Sequence, residues 1–263
     1  MKNRFGLVLI GLVCVGMVFL SCQKKGEVSK TERPETSSSA DFEAIFDGKT
    51  LAGWKGDPSV WRVEDGSIVG ELVRDKQIQS NTFLIWEGGE LGDFELKAAF
   101  KITDSGNSGI NYRSEMLQEP AFAMRGYQAD IDGKNTYTGQ NYEERKRTTL
   151  AYRGQKTEIQ SQNPPGQIGD YVERNAWKGL VLKEEIGNRD ALKAFIKHED
   201  WNEIHLVIKG NRLQHFVNGT LMSDVTDLDA VNFAAKGHLG FQVHVGPPMK
   251  VQYRNIYLKR LTP

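Results

Sequence analysis

Alternation with a period of two, repeated in short stretches closed off by glycine, restricts this chain to β structure. The clearest case is Gly126-Tyr127-Gln128-Ala129-Asp130-Ile131-Asp132-Gly133. Successive side chains of a strand point to opposite faces, so Tyr127, Ala129 and Ile131 share one side, and Gln128, Asp130 and Asp132 the other. One face can pack while the other meets solvent or a ligand. Phe94 to Thr103 repeats the design, with Phe94, Leu96, Ala98 and Phe100 set against Glu95, Lys97, Ala99 and Lys101. So does Gly240 to Gly246, where Phe241, Val243 and Val245 oppose Gln242 and His244. In Ile110 to Ser114, Ile110 and Tyr112 share a face opposite Asn111 and Arg113.

Turn chemistry separates these stretches. Glu64-Asp65-Gly66, Gly210-Asn211 and Asn218-Gly219 are hairpin signals, and Gly106-Asn107-Ser108-Gly109 reads as a further turn. Asn135 to Arg147 reads as a long polar loop carrying Tyr142-Glu143-Glu144. One segment breaks the pattern: residues 188–197 predict a short helix capped by Asn188, with Leu192, Phe195 and Ile196 on one side. Many short strands at regular spacing predict an all-β sandwich or jelly roll.

The N-terminus reads differently. Lys2 and Arg4 precede an uncharged apolar run from Phe5 to Leu20, which ends in Leu20-Ser21-Cys22. Residues 1–21 are expected to be a signal peptide. Their end resembles a bacterial lipobox, which assigns Cys22 to lipidation. Residues 22–40 are rich in Lys, Glu, Ser, Thr and Pro, a composition that cannot bury enough surface to order itself, and are expected to be a tether. A single domain is expected over 41–263. Gln23 after the cysteine favours the outer membrane of a bacterial envelope, on either face. Cys14 and Cys22 are the chain's two cysteines, so the processed domain has no thiol for a disulfide, a metal or catalysis. Lys plus Arg and Asp plus Glu are 34 each, so no global field draws the chain to nucleic acid.

If the three two-faced strands are neighbours, their polar sides form one floor from Asn111, Arg113, Gln128, Asp130, Asp132, Gln242 and His244. Sugars need such a surface: amides and carboxylates hold hydroxyls, and a ring such as Tyr127, Tyr137 or Trp177 stacks on the pyranose. Simpler readings stand beside this one. His244 could be an ordinary surface histidine, Arg113 could neutralise Asp130, and Glu143 and Glu144 could be a solvated charge run with Arg145, Lys146 and Arg147. Asp130, Asp132 and His244 are also residue types that hold a divalent cation.

The chain resembles the 3-keto-disaccharide hydrolases. The resemblance runs through Phe46 to Trp54, Trp61 to Gly70, Asn81 to Trp86, Gly92-Asp93-Phe94-Glu95, Gly106 to Ser114, Gly126 to Ile131 and Tyr142-Glu143-Glu144. It continues in Leu150 to Gly154, Trp201-Asn202-Glu203, His215 to Gly219, Gly240 to Val251 and Arg254-Asn255-Ile256. It implies a concanavalin A-like, β-glucanase-like two-sheet jelly roll with a concave sugar-binding face. It also implies cleavage of 3-keto-glucosides: the C3 ketone acidifies the C2 hydrogen, a base removes it, the C1 substituent leaves, and water adds back.

On that resemblance His244 and Glu143 are the expected base and acid, with Asp130 orienting one of them. Arg113 and Lys250 would stabilise the enolate oxygen, a role a divalent cation could also take. Asn107 and Gln128 would hold hydroxyls, with Asp132 and Gln242 as further sugar contacts. Two other functions stay open: a lectin-like glycan-binding lipoprotein, and a conventional carboxylate-pair glycosidase. Gln128 stands where the alternating acidic strand of family-16 enzymes has its first acid. Relatives carry glycine-rich residues where this chain has Arg147-Thr148-Thr149.

Overall fold

The computed structural model describes residues 41–162 and 166–262. The expected signal peptide, Cys22 and the tether lie outside the described residues.

Two large sheets make up the described chain. The first runs Leu180–Glu185, Gln155–Ile159, Thr220–Asp227, Arg212–Val217, Asn202–Lys209, Phe94–Ile102, Met249–Arg260, Ser67–Leu72 and Trp61–Glu64, with Glu43–Ala44 added beside Met249–Arg260. The second runs Val172–Glu173, Ala176–Trp177, Thr148–Ala151, Asn141–Glu144, Met124–Asp132, Asn107–Met116, His238–Val243, Thr82–Trp86 and Trp54–Lys55. This is the all-β sandwich that the alternation predicts.

The apolar sides of the alternating strands meet between the sheets. Ile110, Tyr112, Tyr127, Ala129, Ile131, Phe241 and Val243 from one sheet share a core with Phe94, Leu96, Ala98, Phe100, Ile204, Leu206 and Val251 from the other. Burying each large side chain contributes about 1.5–3 kcal/mol, which makes this shared face the main stabilising term. Tyr112 stacks on Tyr127 with ring centroids 5.6 Å apart, and Phe241 on Tyr253 at 4.2 Å. Asn218 (φ 50°) and Gly219 (φ 76°) supply the two left-handed residues that a tight hairpin turn needs between Arg212–Val217 and Thr220–Asp227.

Four expectations need correction. The helix covers only Arg189–Lys193: the Asn188 side chain accepts from the N–H groups of Asp190 and Ala191 as expected, but Phe195 lies past the helix and is exposed. Residues 106–109 are not a turn, because the strand begins at Asn107. The expected loop at 135–147 contains the Asn141–Glu144 strand, paired to Met124–Asp132. Val245 lies past the end of its strand and is exposed rather than packed with Phe241 and Val243.

Candidate functional site

Across the second sheet the polar positions fall into rows. Gln242 stands opposite Gly109, and Gly109 opposite Asp130. Asn111 stands opposite Gln128, and Gln128 opposite Tyr142. The outer face of this sheet is the floor expected from the alternation.

Gly109 makes the floor continuous. A Cβ there would sit 2.6 Å from the Gln128 Cδ, so only glycine lets Gln128 lie across the middle strand. Gln128 then accepts from Gln242 Nε2 at 3.0 Å and donates from Nε2 to Asp130 Oδ1 at 2.6 Å. Gln140 Nε2 donates to the other oxygen, Asp130 Oδ2, at 2.6 Å. Asp130 is thus held between two amides. We expect Gly109→Ala to push Gln128 aside, at a stability cost of about 1–3 kcal/mol. The paired change to watch by NMR is loss of the Gln242 to Gln128 side-chain hydrogen bond; an unchanged bond would refute this account of the glycine.

A cleft of about 220 Å³ opens above these residues, lined by Asn107, Gln128, Asp130, Tyr137 and Gln140 on one side and Tyr142, Glu144, Asn175 and His244 on the other. Burial is the largest influence on Asp130 and pushes its carboxyl up to about 7, against the amide donors of Gln128 and Gln140; Asp132 and Glu144 add to the rise. Glu144 Oε1 accepts from Asn81 Nδ2 at 2.9 Å, which fixes a second carboxylate in the cleft. His244 Nδ1 lies 2.6 Å from the Val245 carbonyl oxygen. A carbonyl only accepts, so Nδ1 carries a proton, and Nε2 is the nitrogen that can take up or hold a second one. Among the described residues, the buried acceptors Gln140 Oε1 and Gln242 Oε1 have no donor.

Asn107, Gln128, Asp130, Gln242 and His244 therefore come together. Four other candidates do not join them. Glu143 faces inward, fully buried, with Arg147 Nε 2.5 Å from its Oε2. Its register partner is Tyr127, on the core side of the neighbouring strand, whereas Glu144 pairs with Gly126 and faces the cleft. Arg113 sits at a bulge with φ 44°. Its buried guanidinium donates to the Gly92 and Gly210 carbonyls and pairs with Asp93 at 2.8 Å, not with Asp130. Lys250 belongs to the other sheet and pairs with Glu64.

Asp132 uses both oxygens to fold the next turn, accepting from the N–H groups of Thr136, Tyr137 and Thr138 at 2.8–2.9 Å. Of the rings proposed for stacking, Tyr127 and Trp177 are buried in the core, while Tyr137 lines the cleft. Sequence reasoning missed Gln140, Tyr142, Glu144 and Asn175. The alternation Tyr142-x-Glu144 was the available signal for two of them.

Among the described residues no three His, Cys, Asp or Glu side chains gather as a metal-binding group. Asp132 Oδ1 accepts three donors of the Tyr137–Thr138 turn, and Asp132 does not line the cleft that holds Asp130 and His244, so a cation held jointly by the three does not fit this arrangement.

The model of the 3-keto-alpha-glucoside-1,2-lyase-like domain matches residues 41–259. A 3-keto-disaccharide hydrolase of Bacteroides thetaiotaomicron is 30% identical over 112 residues. Those residues cover 38% of this chain and 36% of that relative, so the chain matches only about a third of the relative's length. The structure superposes on a candidate glycosyl hydrolase from Parabacteroides distasonis with a TM-score of 0.51 and 20% identity, over 85% of this chain and 95% of that one. A Bacillus subtilis protein of unknown function with a galectin-like fold gives a TM-score of 0.50 at 12% identity, over 80% and 90% of the two chains. At these identities both likenesses concern the fold.

Proposed function

Because this chain belongs to the 3-keto-alpha-glucoside-1,2-lyase-like family, we propose that it hydrolyses the glycosidic bond of 3-keto-glucosides by elimination followed by hydration. One observation carries the reading: the Asp130 carboxyl, pushed up to about 7 by burial, and the His244 imidazole, its Nδ1 turned to the Val245 carbonyl, line the same small polar cleft. A general acid works best when its pKa lies near the working pH, as that of the buried Asp130 carboxyl does.

In the proposed reaction His244 Nε2 takes the C2 proton, the C1–O bond breaks, and its electrons leave with the glycosidic oxygen. Asp130 protonates that oxygen, which departs as an alcohol, and a C1=C2 double bond conjugated to the C3 ketone remains. Water then adds to C1, its proton returning to Asp130, while His244 gives its proton back to C2. The net change is hydrolysis, and both residues end as they began. The enolate oxygen needs donors. In place of Arg113 and Lys250, the cleft offers the Asn107 and Asn175 amides and the Tyr142 hydroxyl.

The first cavity alone falls below the ~300–1,000 Å³ usual for small-molecule sites. A second cavity of about 370 Å³ adjoins it, shares Asn107 and Tyr137, and is also lined by Asp132, which keeps Asp132 a candidate sugar contact there. We assign the glucosyl unit to the first, the leaving group to the second, and the shared wall between them to the Tyr137 ring. Cys22 would carry the domain on a lipid at the cell envelope.

Asp130 and Glu144 in one cleft also supply the pair of carboxylates that a conventional glycosidase uses. Incubating the chain with 3-keto-trehalose and 3-keto-lactose beside the unoxidised sugars separates the readings. Release of 3-keto-glucose from the oxidised sugars alone is the expected result. Cleavage of the plain sugars would replace the proposal with the carboxylate-pair reaction, and binding without cleavage of either would make the chain a glycan-binding protein.

A further inference from the structure

His215 lies in the strand Arg212–Val217 of the sheet opposite the cleft, fully buried and edge-on to the Tyr112 ring at 5.7 Å. Its Nδ1 is 3.2 Å from the main-chain oxygen of Gln140. A carbonyl only accepts, so Nδ1 carries the proton and Nε2 must accept. The Tyr112 hydroxyl, 2.9 Å away, is positioned to donate to Nε2 and itself receives Asn141 Nδ2 at 3.0 Å. Burial pushes the imidazole down to about 4, so the ring is neutral near pH 7, as this bonding requires.

Gln140 is where this core chain reaches the cleft. Its carbonyl also accepts the Asp130 N–H at 3.3 Å, and its own N–H is tied to the Tyr137 carbonyl at 2.9 Å. Its side chain holds Asp130 Oδ2. The Gln140 backbone is therefore gripped from the core while its amide grips the carboxyl.

We propose that His215 is a positioning residue for the cleft: by donating to the Gln140 carbonyl from inside the core, it sets the Gln140 side-chain amide against Asp130. The role bears on catalysis through the reading of Asp130 as proton donor. A side chain that merely filled space would act through its shape, whereas this one acts through a single donor facing Gln140.

His215→Asn and His215→Gln distinguish the two. The shorter amide can place an N–H where Nδ1 stood, and the longer one reaches the Nε2 position instead. The measurement is solvent exchange of the Gln140 side-chain amide protons by NMR in the full chain, at matched thermal stability. We expect His215→Gln to speed this exchange by roughly tenfold, the scale of one lost hydrogen bond, and His215→Asn to leave it near the parent rate. Equal exchange in both variants would overturn the proposal.

Tyr112→Phe supplies a second route should His215→Gln not fold. It leaves the imidazole and its Nδ1 donor but removes the nearer of the two groups that hold Nε2, the other being Asn141 Nδ2 at 3.4 Å, so the ring is held less firmly against Gln140. Faster Gln140 exchange is expected, and an unaltered rate would count against the role. These readings need no substrate, so they are independent of whether 3-keto sugars are cleaved.

Discussion

Replacing Arg147 with methionine is expected to cost about 3–5 kcal/mol of stability, because it leaves a buried set of carboxylates without its counter-charge. The Arg147 guanidinium is fully buried. It donates to Glu143 at 2.5 and 3.1 Å, to Asp227 at 2.7 and 3.1 Å, and to Asp229 at 3.2 Å. Glu143 belongs to the cleft sheet, and Asp227 ends a strand of the other, so one side chain ties the two layers together. Those carboxylates push the guanidinium's proton affinity further up, although burial alone works against the charge.

Removing any single carboxylate leaves the cation with other partners, so Glu143→Gln should cost clearly less than Arg147→Met. Urea unfolding of both variants at pH 7 tests the ordering. An Arg147→Met chain within about 1 kcal/mol of the parent would sink it, since surface pairs behave that way.

The same cluster shows what the sequence could and could not convey. Period-two alternation is a local property, and it correctly divided the Met124–Asp132 strand into a packed and a polar face. It also held for Gln242 and Asn111. It did not help at Glu143-Glu144, where two adjacent acids look alike and only pairing to the neighbouring strand decides which faces inward. Once Glu143 is opposite Tyr127, it must point to the core, and Arg147 makes that burial tolerable. The divergent Arg147-Thr148-Thr149 stretch marked the place without giving its meaning. Thr148 holds φ at 65°, a conformation that favours glycine.

Arg113 was beyond reach for another reason. A bulge between Tyr112 and Glu115 interrupts the alternation that assigned Arg113 to the floor. Its partners Asp93, Gly92 and Gly210 are separated from it by between 20 and 97 positions in the chain. Lys250 carried no alternation with the floor residues at all, and its strand went to the opposite sheet. Short-range pattern thus identified faces; long-range pairing chose which charged side chains share the cleft.

Asp130→Asn is expected to lower kcat by ~10²–10⁴-fold, the usual contribution of a positioned general acid, while making the fold more stable at neutral pH. The stability half follows from linkage. Burial raises the carboxyl from 3.8 to about 7, so between those values the folded chain keeps a proton that the unfolded chain has released. Stability then falls as pH rises through that window, by at most about 1.4 kcal/mol per pH unit, and levels off above about 7. Asparagine cannot titrate, so the variant should lack this slope, and its advantage over the parent should grow from pH 4 to pH 7.

The amide can be accommodated. Gln140 Oε1 has no donor in the parent, so rotating the Gln140 amide lets it accept from the new side-chain N–H while Gln128 still donates to the oxygen. The same titration predicts that parent activity declines as pH rises through about 7, where the acid loses its proton. Urea midpoints at pH 4.5 and 7.5, read beside kcat across that range, test both halves. A stability difference that does not change with pH would remove the raised carboxyl, and an Asn variant of undiminished kcat would remove Asp130 from the proton-transfer step.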